Sequence, residues 1–189
     1  KRGLQWQWHA NPKVYYGFPT SMGHYMMYCR PRPEGSSNLH DVPNLLLQKF
    51  PAESFTATTK LTFNARHDNE QVGFLIMGLD YGYIKFLQED GQLYLSQVTC
   101  KDAHKEGTEN ENEKIKVDSN TIYLQIKVDK GGVCNFYYST NNKRFKPIGD
   151  TFKAREGRWI GAKIGYLALR EGVINDAGSL DIDWIRFKK

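Results

Sequence analysis

Apolar residues recur at every second position in short runs along this chain, and the runs are bounded by Gly, Asn, Asp or Pro. The clearest are "HYMMYCR" (24–30), "SFTATTKLTF" (54–63), "VGFLIMG" (72–78), "YGYIKFL" (81–87) and "GQLYLSQVTC" (91–100). "TIYLQIKVD" (121–129), "GVCNFYYST" (132–140), "WIGAKIGYLAL" (159–169) and "SLDIDWIRF" (179–187) continue the series. A period of two puts alternate side chains on opposite faces of a strand, so each run predicts a strand with one buried face. "LDYG", "EDGQ", "DKGG" and "TNNK" stand between the runs and carry the small polar residues that tight hairpins need. Helical periodicity is hard to find. The prediction is an all-β, antiparallel β-sandwich or jelly roll of about nine or more strands in a single domain. Three stretches break the pattern and predict rim loops: "RPRPEGSSNLHDVPN" (30–44), "DAHKEGTENENEK" (102–114) and "LREGVINDAG" (169–178).

Alternation also sorts inward from outward residues. In "TIYLQIKVD", Ile122, Leu124, Ile126 and Val128 take the core and leave Tyr123, Gln125 and Lys127 outward. In "SLDIDW", Leu180, Ile182 and Trp184 take the core and leave Asp181 and Asp183 outward. In "LQWQWHA" (4–10), Leu4, Trp6, Trp8 and Ala10 share the apolar face, and Gln5, Gln7 and His9 look the other way.

With 189 residues, 40% of them hydrophobic and 13% aromatic, the chain has material for one sizeable core. The formal charge of +5 does not argue for nucleic acid, because Lys and Arg are spread among acidic residues instead of clustering. No apolar run approaches the ~20 residues of a membrane-spanning helix. The N-terminus has no secretory leader pattern, so a leader is either absent or was removed with whatever preceded Lys1. Cys29, Cys100 and Cys134 lack the paired spacing of a zinc site; one disulfide with a free thiol, or three reduced thiols, both fit.

A catalytic site of its own is not predicted. A retaining sandwich glycosidase needs two carboxylates about 5 Å apart. Asp181 and Asp183 share a strand face, but the Glu-x-Asp-x-x-Glu pattern is broken by Arg186. A Gly-x-Ser-x-Gly elbow and a phosphate-cradling glycine loop are both missing. His9, His24, His40, His67 and His104 show no metal-pair spacing. No cofactor is expected, with one alternative: "HDNE" (67–70) and "NDAG" (175–178) offer oxygens for a structural calcium, though no spaced ligand loop is present.

Several stretches together carry a resemblance. "GLQWQWHANP", "NLLLQKFPAESFTATTKLTF", "GFLIMGLDYGYI", "LSQVTCKDA", "AREGRWIGAKIG" and "AGSLDIDWIRF" resemble the C-terminal module of family 43 glycoside hydrolases, the β-xylosidases and α-L-arabinofuranosidases, from Gly3 to Phe187. The resemblance implies a concanavalin A-like β-sandwich that follows a five-bladed propeller bearing the catalytic acids. It also implies a non-catalytic accessory role, with two partners: xylan or xylo-oligosaccharide, and the N-terminal catalytic propeller of the same polypeptide. Modules of this type pack on the propeller, and the segment around "GRWIGAKIG" is the candidate for that contact. Sugar recognition needs an aromatic face and planar polar partners. The outward residues Gln5, Gln7, His9, Tyr123, Gln125, Asp181 and Asp183 are expected to form one groove, with Tyr81, Tyr83 and Trp159 adding stacking surface, or else to face the propeller. A purely structural module that binds no sugar is the alternative, and a free-standing sandwich glycosidase a more distant one.

Overall fold

The computed structural model describes residues 3–157, 161–172 and 175–189. Its strands are, in chain order, β1 (Gln7–Trp8), β2 (Gly17–Pro19), β3 (Tyr25–Tyr28), β4 (Arg30–Pro31), β5 (Leu46–Lys49), β6 (Phe55–Asn64), β7 (Gln71–Met77) and β8 (Tyr81–Glu89). After them come β9 (Gln92–Cys100), β10 (Glu109–Val117), β11 (Thr121–Asp129), β12 (Val133–Ser139), β13 (Lys146–Pro147), β14 (Phe152–Lys153), β15 (Lys163–Arg170) and β16 (Ser179–Lys188). They form two sheets. Sheet I runs β1-β5-β15-β7-β8-β9-β10 with the short β4 beside β15; sheet II runs β13-β12-β11-β6-β16-β3-β2 with β14 beside β12. The pairings are antiparallel except for the two-residue parallel contact of β4 with β15.

The predicted alternation explains the core between the sheets. Ile122, Leu124, Ile126 and Val128 of β11 are buried against Phe74, Ile84, Phe86, Leu95 and Tyr166 of sheet I. At ~25 cal/mol per Å² of apolar surface removed from water, a layer of this size is the main stabilising term of the fold. Sheet I, however, is buried on both faces. Its other side carries Leu47, Leu75, Met77, Tyr81, Tyr83, Val98, Leu167 and Leu169, and Leu39, Val42, Leu45 and Ala103 pack on them. This second core accounts for the continuous apolar stretch at 72–77, which reads as doubly buried rather than alternating.

The 30–44 stretch is therefore a roof over sheet I as well as a rim loop. It is pinned by Asn38, whose Nδ2 donates to the carbonyls of Ala103 and Gly107 at 2.9 Å each. The 102–114 stretch is half loop and half strand: a 3₁₀ turn at Ala103–Lys105 leads into β10, which pairs with β9 at the sheet edge. An edge strand packs little on its neighbours, so Glu109–Val117 can be acidic and keep no apolar period, and its charges also guard the open edge. β5 lies in a segment that showed no clear alternation, because Leu46 faces one core and Leu47 the other.

All three cysteines are free and buried. Burial pushes the Cys134 thiol up to about 12 and raises those of Cys29 and Cys100 as well. Iodoacetamide at pH 8 is expected to leave the native chain unlabelled and to add three groups once it is unfolded, counted by intact mass.

Candidate carbohydrate-binding site

The outer face of sheet II is the open one, and its geometry turns on a single extra residue. β16 pairs with β6 in regular register up to Ile182 opposite Leu61; Asp183 is then bulged out, and Trp184 stands opposite Lys60. A bulge of one residue reverses the alternation beyond it. Trp184 therefore faces outward, half-buried, and does not join the core, while Ile185 and Phe187 turn inward and pack on it. The hydroxyl of Thr59 donates to the Trp184 carbonyl beside the bulge at 2.8 Å. Thr59 has one proton to give, so the Tyr166 hydroxyl donates to it in turn, at 2.9 Å.

On that face the ring centroids of Trp184 and Tyr123 are 6.0 Å apart, although Lys60 lies between them in the register. Lys60 is drawn aside: its Nζ sits 2.7 Å from Asp183, a hydrogen bond that raises its pKa. His24 approaches the same carboxylate at 3.4 Å. One row along, Gln125 Nε2 donates to Thr58 Oγ1 at 2.9 Å, and the Arg186 guanidinium lies 4.3 Å above the Trp184 ring. Phe145 and Asn142, from the loop after β12, close the far side. The result is a groove of about 410 Å³ with aromatic walls and a floor of amide and hydroxyl groups. Such a surface can take the apolar face of a sugar ring and bond its hydroxyls.

Of the residues expected to share one groove, Gln125 lines it and Tyr123 abuts its Trp184 wall. Asp181 and Asp183 lie further along β16 and are committed to Asn64 and to Lys60. Gln5, Gln7 and His9 are not in this groove, because β1 belongs to sheet I. Gln5 and Gln7 line a separate cleft with Gln48, Lys49 and Phe50, which meets the groove only at Phe187. Of the apolar face predicted for that strand, Trp6 and Trp8 are half-buried against the core, but Leu4 is fully exposed.

His9 reaches the roof, where Nε2 donates to the His40 carbonyl at 3.0 Å. Burial lowers its pKa, against a smaller opposing effect of that hydrogen bond. A depressed histidine favours the folded chain above its ordinary value of 6.5, and that stability is lost as the pH falls below it, because the unfolded chain then binds the proton first. Urea midpoints between pH 7.5 and 5 are expected to fall less steeply for His9→Gln than for the parent. The difference is at most about 1.4 kcal/mol per pH unit, one proton's worth.

Tyr81 and Tyr83 offer no stacking surface: both are wholly buried under the roof. The Tyr81 hydroxyl donates to Glu109 at 2.6 Å, and burial raises the pKa of both tyrosines. Trp159 lies outside the described residues. Phe145, Arg186 and the outward Trp184 were not anticipated, and alternation alone had no signal for the bulge that exposes Trp184.

The two stretches considered for calcium do meet, but through N–H donors. Glu70 Oε2 accepts from the amides of Arg66 and His67 at 2.7 and 3.1 Å, and Oε1 from that of Gly178 at 2.7 Å. Asp176 is held by Arg66 and His67. A cation there would have to displace these donors, so the residues do not fit one, and among the described residues no group of three or more His, Cys, Asp or Glu is arranged to hold a metal.

Residues 1–188 match the family model described as the beta-xylosidase C-terminal concanavalin A-like domain. The chain belongs to this family. A beta-xylosidase of Formosa agariphila is 22% identical over 207 residues, which cover 99% of this chain and 33% of that protein. The crystal structure of the GH43 protein BlXynB from Bacillus licheniformis matches with a TM-score of 0.82 at 21% identity, over 99% of this chain and 37% of that one. The bifunctional GH43-CE protein of Bacteroides eggerthii gives 0.85 at 19% identity, over 99% and 24%. At such identities the structural likeness establishes the concanavalin A-like fold. This C-terminal GH43 module thus spans about a third of the length of the curated relative it matches.

Proposed function

We propose that the chain is a non-catalytic accessory module of a family 43 β-xylosidase or α-L-arabinofuranosidase, and that it binds xylan-type carbohydrate on the outer face of sheet II. The observation that carries this reading is the groove itself, where Trp184 and Tyr123 stand beside Gln125 on an otherwise polar, open sheet. An active site is not part of the reading, since Asp181 and Asp183 are tied to Asn64, Lys60 and His24. Affinity electrophoresis of the isolated chain in xylan gels tests it: retarded migration is the expected result, and unretarded migration would sink it.

A second set of residues favours an additional role. Leu4, Val14 and Met22 are exposed at 104%, 91% and 80%, with Phe18 and Tyr15 beside them in sequence. Large apolar side chains this fully exposed are candidates for cover by a partner. The module is proposed to cover them by packing against the catalytic propeller of its own polypeptide, the longer remainder found in its relatives. Residues 158–160 of "GRWIGAKIG", the earlier candidate for this contact, lie outside the described residues. Co-expression of the chain with a family 43 propeller as a separate polypeptide should yield a complex that Val14→Asp with Met22→Asp abolishes.

A further inference from the structure

The groove on sheet II is cationic as well as aromatic. Among the described residues its lining holds Arg186 and Lys188 and no Asp or Glu. The neighbouring carboxylates are already engaged, Asp183 with Lys60 at 2.7 Å and Asp129 with Lys127 at 3.4 Å. Arg186 and Lys188 make no ion pair among the described residues, and neither do the exposed Lys143, Arg144 and Lys146 beside the Phe145 wall. Some cations elsewhere are paired, as Lys85 is with Glu111 and Arg155 with Asp80 and Asp102.

Arginine stacked on an aromatic ring keeps its planar fork of donors at the edge of that ring. Such a fork matches an oxyanion with two parallel hydrogen bonds, and little side-chain freedom remains to be lost on binding. A neutral sugar would use the Trp184 ring and the Gln125 amide and leave the cations idle. We infer that the groove selects xylan carrying anionic substituents, the sugar ring stacking on Trp184 while Arg186 and Lys188 take the oxyanion. The shared chemistry is an oxyanion on a sugar, met in a uronic acid carboxylate or in a sulfate ester. This inference rests on the sugar-binding reading above.

Calorimetry on the isolated chain tests it with four probes of similar length: neutral xylotetraose, a uronic acid-bearing xylotriose, a sulfated xylotetraose and oligothymidylate. One of the two anionic sugars is expected to bind at least about tenfold tighter than the neutral one, the gain of one charge-assisted hydrogen bond. Which of them does so identifies the source of the oxyanion. Arg186→Gln with Lys188→Gln, both exposed, should bring the anionic-to-neutral ratio close to one, and raising the salt from about 50 to 500 mM should shrink it in the parent. Equal binding of neutral and anionic sugars would overturn the inference and leave sugar binding standing. Tighter binding of oligothymidylate than of either anionic sugar would also overturn it. Failure of every sugar would remove the underlying reading as well.

Discussion

Replacing Trp184 with alanine should abolish the retardation of the chain in xylan gels while leaving its melting temperature within a few degrees of the parent. The two halves of this expectation have different physical origins. Trp184 stands on the outer face of sheet II beyond the Asp183 bulge, half-buried, in contact with Tyr123 and Arg186 rather than with the core between the sheets. Truncation thus leaves no core cavity and costs about 1 kcal/mol of stability or less. For a bound ring the indole is the main apolar contact, and losing such an anchor typically costs about 2 kcal/mol, or some 30-fold in affinity. Trp184→Phe keeps a ring and should keep part of the binding. Trp6 provides the contrast, since its ring stacks on Tyr166 at 5.7 Å and packs on the core. Trp6→Ala should lower the melting temperature more and the affinity less. If Trp184→Ala binds xylan like the parent, the groove is not the sugar site.

How much of this was legible beforehand follows from what each pattern measures. Alternation located β11 and its inward side chains correctly, because β11 is regular and has one face open. It placed Leu180 and Ile182 correctly too, and failed at Trp184 because a period of two has no term for an inserted residue. Tyr81 and Tyr83 misled for another reason. They do face away from the main core, as alternation requires, but that side of sheet I is roofed by Leu39, Val42 and Leu45 from a stretch that reads as a polar, proline-rich loop. The charged groove residue Arg186 was visible as a break in a catalytic pattern, and its position over Trp184 emerged only with the bulge. Sequence fixes the faces of regular strands well, whereas the pairing of distant segments across sheets, which separated Gln5 and Gln7 from Gln125, depends on topology that short-range patterns do not encode.

The largest expected loss of stability comes from a methyl group. Gly165 lies in β15, between β5 and β7, opposite Leu47 and Leu75. A Cβ built there would sit 1.9 Å from the Leu46 carbonyl oxygen and 2.9 Å from the Leu47 Cα, both backbone atoms that no rotamer change can move aside. Gly165→Ala must therefore push β5 away from β15. That strand carries Leu46 into the core between the sheets and Leu47 into the second core, so one displacement loosens both. Two effects oppose each other: alanine restricts the unfolded chain and so stabilises by about 0.4–1 kcal/mol, while forcing backbone apart in a packed interior costs about 3 kcal/mol. The steric effect wins by roughly 2 kcal/mol or more. For a domain of this size each kcal/mol is worth about 2–4 °C, so the midpoint in a thermal scan should fall by at least about 4 °C. The groove lies on the other sheet, so protein that remains folded should still be retarded by xylan. A melting temperature unchanged by Gly165→Ala would mean that β5 and β15 do not approach as closely as described, and a folded variant that no longer bound xylan would tie the groove to sheet I.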